Sequence, residues 1–288
     1  MNSISEPPRQ SAKPVKRSRF LHQLFIGSYG VNIRISSNEI AAIETIKTLL
    51  TEWLPGCFRM IEPCKAEHEF CYIWNVSGRD SLYKNQEKVL VRFARKSLID
   101  LLGSNIRLTV AEFAVERVFV HAGVVSWKGK AIVMPAKSFQ GKSSLTAELV
   151  RRGALYYSDE YAIFDKNGLV SPFPKMLSLR GKTEIDRYQQ TDFPVEVFGG
   201  TAGTETIPVG MVLLTGYKAK AKWKPLILSS GNGLIEIIRD TIPIRNDPAF
   251  TFTVLNQVSK NALIVQSSRG EAAATAELIL KFFEDRCL

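Results

Sequence analysis

The chain is short of cysteine, of uninterrupted apolar runs and of acidic residues, and each shortage narrows what it can be. Four cysteines in 288 residues are too few and too unevenly placed for a disulfide scaffold. Cys57, Cys64 and Cys71 stand at equal intervals with His68 between the last two, which invites a zinc site. That spacing matches none of the CxxC patterns that tetrahedral zinc uses, and Cys71 lies in the apolar EFCYIWNV, where a thiol packs as a small hydrophobe. No apolar stretch reaches the length that a bilayer requires, and MNSISEPPRQSAKPVKRSRF at the start is polar and basic where a secretory signal needs an apolar centre. The expected location is cytoplasmic, with no membrane partner.

Acidic side chains number 28 against 38 basic ones, a formal charge of +10. That balance suits anionic partners such as nucleotides, nucleic acid or acidic peptides. No nucleic-acid reader motif accompanies it, so nucleic acid is not the expected partner. Residues 1–19, rich in Ser, Pro, Lys and Arg, read as a disordered basic leader. Lys218, Lys220, Lys222 and Lys224, with Trp223 among them, read as the exposed face of an edge strand.

What remains has the composition of a folded α/β protein, with 45% hydrophobic and 23% charged residues. Residues 20–115 read as a small α+β lobe. FLHQLFIGSYGVNIRISS gives two strands around a turn at Gly27 to Gly30. NEIAAIETIKTLLTEWLP gives a helix with Asn38 as N-cap and Pro55 as stop. EFCYIWNV and KVLVRFAR are strands, and Lys96 to Val115 reads as helical pieces broken near Gly103. Residues 116–288 change texture. RVFVHAGVVSWKGKAIVMPA is two Val- and Ile-rich strands separated by the turn-like WKGK, and SLTAELVRRG is a short helix closed by Gly153.

Between the second of those strands and that helix stands AKSFQGKSS, residues 136–144. A phosphate loop, or Walker A motif, has the form G-x-x-x-x-G-K-[ST] in this setting, because backbone N–H groups and a helix N-terminus must converge on the anion. Here Ala136 replaces the first glycine, Lys137, Ser138, Phe139 and Gln140 fill the loop, and Gly141, Lys142, Ser143 and Ser144 complete it. Lys142 is expected to reach the β and γ phosphates, and Ser143 to ligate Mg2+. In YYSDEYAIF, the adjacent carboxylates of Asp159 and Glu160 interrupt apolar residues, which is costly unless they meet a metal, a cation or a reacting group. By spacing alone they could instead mark a surface turn. If the sheet is parallel, the strand after the helix lies beside the phosphate loop, where ligands collect. His121, within VFVHAGVVS, is the third candidate.

With HAGVV, AxxxxGKSS and SDE in order, the stretch from about 119 to 180 resembles the HPr kinase/phosphorylase family and its wider set of HPr-kinase-like serine kinases. Twenty-one residues separate His121 from Lys142, and seventeen separate Lys142 from Asp159; the family has matching intervals. DTIPIRNDPAF resembles the family's loop of Ile-Pro-Val-Arg type and puts Arg245 at its arginine, although Asp247, Pro248 and Ala249 replace Gly-Arg-Asn. The resemblance implies a P-loop fold related to phosphoenolpyruvate carboxykinase and an ATP- and Mg2+-dependent transferase acting on a serine hydroxyl. In it, Asp159 serves as base, His121 tunes that base, Ser143 and Glu160 bind metal, and Arg245 stabilises the transferred group. HPr kinases form hexamers, so a homo-oligomer is also implied. Glu160 replaces the family's second aspartate, and the glycine-rich signature that meets HPr is missing, which argues for another peptide or protein as substrate. The alternative is a nucleotide-binding regulatory module without phosphotransfer.

Overall fold

Along the strand His68–Ile73 burial alternates residue by residue, so one of its faces is committed to a core. The computed structural model describes residues 21–136, 140–180 and 190–288. The chain divides into two units: one takes the chain up to Thr51 and Phe58–Arg107, the other Glu52–Cys57 and Leu108–Leu288. The first holds a six-stranded sheet built from β1 (His22–Ser28), β2 (Val31–Ser37), β3 (Arg59–Met60), β4 (His68–Ile73), β5 (Arg79–Lys84) and β6 (Glu87–Ala94), in the order β3-β1-β2-β4-β5-β6. Only the β2–β4 pair is parallel, as a crossover through α1 (Ile40–Trp53) requires. Tyr29 and Gly30, both at positive φ, make the tight β1–β2 turn.

Two expectations fail in this unit, each because a distant partner outweighs a local preference. Asn38 does not cap α1. Its side-chain amide accepts from the Trp74 N–H at 2.8 Å and donates to the Trp74 carbonyl at 3.0 Å, tying the start of the helix to the end of β4. Gly103 does not break the next helix, α2 (Arg95–Phe113), which runs through it. A glycine there costs about 1 kcal/mol, and Leu98, Leu102 and Ile106, one turn apart and fully buried, outweigh that cost.

The second unit is a mixed sheet covered on both faces. Its strands are β7 (Val118–Trp127), β8 (Lys130–Pro135), β9 (Leu155–Ser158), β10 (Tyr161–Phe164), β11 (Val170–Ser171), then β12 (Leu177–Arg180) and β13 (Gln190–Phe193), which form a separate hairpin, β14 (Val209–Tyr217), β15 (Leu226–Ile227) and β16 (Leu263–Arg269). The order is β11-β10-β7-β8-β14-β16-β15, with β9 also on β7. β8, β14 and β16 are parallel neighbours. The helices are α3 (Lys142–Arg151), α4 (Ser230–Ile238), α5 (Pro248–Asn261) and α6 (Ala272–Cys287). Period-two alternation sends Ile132 and Met134 to the side that packs with Leu145 and Leu149 of α3 and Ile279 and Phe283 of α6. Ala131 and Val133 go to the side of Leu234 and Ile237 of α4 and Val254 and Val258 of α5.

The strand after α3 is not the parallel neighbour of β8 that the sequence reading expected. β9 lies antiparallel on β7, and the parallel place beside β8 belongs to β14. Lys218, Lys220, Lys222 and Lys224 are exposed in the connection before the edge strand β15, not on a strand, and Trp223 turns inward against Phe282 with ring centroids 6.3 Å apart. Among the described residues no helix is long and apolar enough to cross a membrane.

Candidate functional site

Where β8 ends, the buried Ala136 N–H donates to the His121 carbonyl at 3.3 Å. Lys137, Ser138 and Phe139 lie outside the described residues. At Gln140 the carbonyl accepts from the Tyr217 N–H at 3.2 Å. Gly141 then takes φ +76° and opens α3 with no side-chain cap. The N–H groups of Lys142, Ser143 and Ser144 therefore have no acceptor within the helix and carry the positive end of its dipole.

Glycine is required at position 141 twice over. Its φ is left-handed, and an added Cβ would come within 2.6 Å of the Arg269 guanidinium, which donates to the Gly141 carbonyl from beneath. Arg269, at the end of β16, is only 2% exposed.

Gly123 has a different task. A Cβ there would stand 2.6 Å from Thr146 Oγ1 and 3.0 Å from Lys142 Cγ. The missing side chain lets the first turns of α3 lie directly on β7, and so carries Lys142 across the strand to the histidine two residues earlier. Lys142 Nζ is 2.9 Å from His121 Nε2. Burial pushes the imidazole down to about 4, the Lys142 charge adds to this, and Glu160 opposes it. The ring is therefore neutral at pH 7, with Nε2 free to accept from the ammonium. Lys142 lies below its ordinary value through burial, against the pull of Asp159, Glu160 and Asp240.

Asp159 and Glu160 form the turn between β9 and β10, both antiparallel on β7, so the two carboxylate residues stand opposite Gly123 and Ala122. Ser158 shapes the turn: its hydroxyl accepts from the Glu160 N–H at 3.1 Å and the Tyr161 N–H at 2.9 Å. Ala122 N–H donates to the Glu160 carbonyl at 3.2 Å. Burial pushes the Asp159 carboxyl up to about 6 in spite of Lys142, the Ser143 hydroxyl, the Ser178 N–H and Lys175, all of which favour its ionised form. The residue as a whole is half-buried, yet Oδ1 is shielded from solvent and has no hydrogen-bond partner among the described residues.

The fold thus gathers His121, Lys142, Ser143, Asp159 and Glu160. It does not tie in Arg245, which is exposed in a 3-10 turn, Pro243–Arg245, and shares no hydrogen bond or ion pair with the group among the described residues. The Asp247-Pro248-Ala249 departure is a helix start: the Asp247 carboxylate accepts from the Phe250 N–H at 3.1 Å and Pro248 opens α5. None of the four cysteines is in a disulfide, and no group of three or more His, Cys, Asp or Glu among the described residues is arranged to hold a metal.

Sequence reasoning missed Asp240, Lys175, Ser178 and Arg269. Asp240 is held at the site by its backbone, whose carbonyl accepts from the His121 N–H at 2.8 Å. Its only sequence signal is its place just before the TIPIR segment. Lys175 could have been noticed as a lone charge in FPKML.

The chain matches no protein-family model and no curated protein.

Proposed function

We propose that this chain is an ATP- and Mg2+-dependent kinase of the P-loop, phosphoenolpyruvate-carboxykinase-related type, transferring a phosphoryl group to the serine hydroxyl of a peptide or protein other than HPr. One observation carries the reading. Lysine and serine at the head of a glycine-opened helix meet a histidine on one strand and an aspartate in the turn that follows a strand paired with it: Lys142 reaches His121 at 2.9 Å, and the Lys142 charge and the Ser143 hydroxyl both favour the ionised form of Asp159.

Those residues suit a nucleoside triphosphate with a hard cation. The Ser143 hydroxyl and the Glu160 carboxylate are oxygen donors of the kind that Mg2+ takes, with phosphate oxygens and water completing its shell, and the buried Asp159 Oδ1, without a hydrogen-bond partner among the described residues, is left for the acceptor's proton. When bound, the ion would neutralise charge on the β and γ phosphates. The helix amides and Lys142 hold the triphosphate. With an elevated carboxyl pKa, Asp159 can accept the proton of the acceptor hydroxyl. As that oxygen bonds to the γ-phosphorus, the bond from phosphorus to the β,γ-bridging oxygen breaks, and its electron pair leaves with ADP. His121, neutral and hydrogen-bonded by Lys142, keeps the ammonium aimed at the site.

The second reading, a nucleotide-binding module that transfers nothing, is favoured by the detachment of Arg245 from the group. Equilibrium titration with ATP, with and without Mg2+, followed by γ-labelled ATP with a panel of serine peptides, separates the two. Mg2+-dependent binding with label transfer supports the kinase. Binding without transfer to any peptide supports the module, and no binding sinks both.

A further inference from the structure

A transferring phosphoryl group is met by positive charge on more than one side in P-loop sites, and Lys142 already has His121 as its partner. Arg245 is exposed and, among the described residues, joined to nothing in the group. Lys175 is placed differently. We propose that Lys175 is a catalytic residue whose ammonium meets the phosphoryl group as it passes to the acceptor hydroxyl, a proposal that rests on the kinase reading.

The lysine is held by its backbone and loose at its tip. Its carbonyl accepts from the Tyr156 hydroxyl at 2.6 Å. Its N–H donates to the Phe173 carbonyl at 2.8 Å, and Phe173 is itself bonded to the Tyr157 carbonyl at 2.9 Å. Tyr156 and Tyr157 belong to β9, the strand that delivers Asp159, so base and lysine are positioned by one element. The side chain is only 17% exposed, and its Nζ stands 4.0 Å from Glu160 Oε2 and donates to Ser178 Oγ at 3.3 Å. Both contacts are long for an ammonium, which has three donors to place. The charge is also felt at Asp159, alongside that of Lys142. Two ammoniums thus bear on the carboxylate that would take the acceptor's proton: one bonded to His121, the other beside Glu160. Such a preorganised cation acts most strongly where charge develops during transfer.

The test is capture of ADP with aluminium fluoride, which imitates the phosphoryl group in flight, set beside simple ATP binding. Wild type, Lys175→Met, Lys175→Arg and Lys142→Met are compared in Mg2+. Lys175→Met is expected to bind ATP like wild type but to capture ADP–fluoroaluminate about a hundredfold less tightly. Lys175→Arg should recover most of that loss, which a merely structural role would not predict. Lys142→Met should lose both. If Lys175→Met does not fold, Lys175→Gln takes its place with the same expectations. Undiminished capture by the uncharged variant, or an arginine variant no better than it, overturns the role of Lys175 and leaves the kinase reading standing. A wild type that binds neither ATP nor ADP–fluoroaluminate overturns that reading, and this proposal with it.

Discussion

Each unit of the molecule holds an aspartate with carboxylate oxygen shielded from solvent, and the two are treated in opposite ways. Asp80, in the first, is inaccessible to solvent and fully partnered. It accepts from Arg95 Nε at 2.8 Å, from the Tyr72 hydroxyl at 2.7 Å and from the Asn75 N–H at 2.8 Å, and Arg95 is stacked 3.6 Å over the Trp74 ring. Burial works against its charge, but these partners prevail and hold the carboxyl below its ordinary value. Asp159, in the second unit, has Ser143, Ser178 and two lysines within influence, yet burial wins, Oδ1 finds no hydrogen-bond partner among the described residues and the carboxyl sits near 6. A network that completes itself is structural; one left with an orphaned oxygen beside a helix N-terminus is poised for something it does not itself contain.

Exchanging each carboxylate for its amide breaks the comparison most directly. Asp159→Asn is expected to leave ATP affinity intact and to lower phosphotransfer by about a thousandfold, the scale of a lost general base. Steady-state kinetics beside a nucleotide titration measures both. Asp80→Asn should destabilise the fold by about 3 kcal/mol, since it strips a buried charge from Arg95 and leaves an amide N–H2 facing other donors. Urea denaturation at pH 7 reads this out. The same chemical change at position 159 should act in the other direction and stabilise by about 2 kcal/mol at pH 8, where wild type must keep a reluctant carboxylate ionised.

That contrast also marks how far the sequence could be read. HAG, GKSS and SDE announce the site because each rests on local chemistry: a glycine where helix meets strand, a left-handed residue at a helix start, carboxylates in a tight turn. The paired strands around Gly30 and Gly129 were legible for the same reason. What escaped depends on partners far along the chain. β5, RDSLYK, lacks clear alternation because Asp80 points inward to a salt bridge instead of outward to water. Arg269 reads as a polar residue ending a strand, and only the fold shows it buried under Gly141, 128 residues away in sequence. The antiparallel placement of β9 could not be told from a parallel one, since both demand the same apolar pattern.

The smallest effect is the most diagnostic, because in wild type two larger ones nearly cancel. The Asp159 pKa is raised from the ordinary 3.8 to about 6 on folding. Its contribution to stability is thus full below 3.8 and is lost as the pH rises through 6. The His121 pKa is depressed from the ordinary 6.5 to about 4, so its contribution is full above 6.5 and is lost as the pH falls through 4. Between pH 4 and 6.5 the two slopes oppose each other, each at most about 1.4 kcal/mol per pH unit. Their net contribution in wild type should therefore stay flat to within about 1 kcal/mol. Neither residue is among the causes that shift the other, so removing one should uncover the slope of its partner. Relative to wild type, the stability of Asp159→Asn should climb with pH across this window, and that of His121→Gln should fall. Urea midpoints taken at half-unit steps of pH test it. Parallel profiles for the two variants would mean that the histidine and the aspartate do not titrate in the environments described, and the distinction between a completed network and a poised one would lose its physical basis.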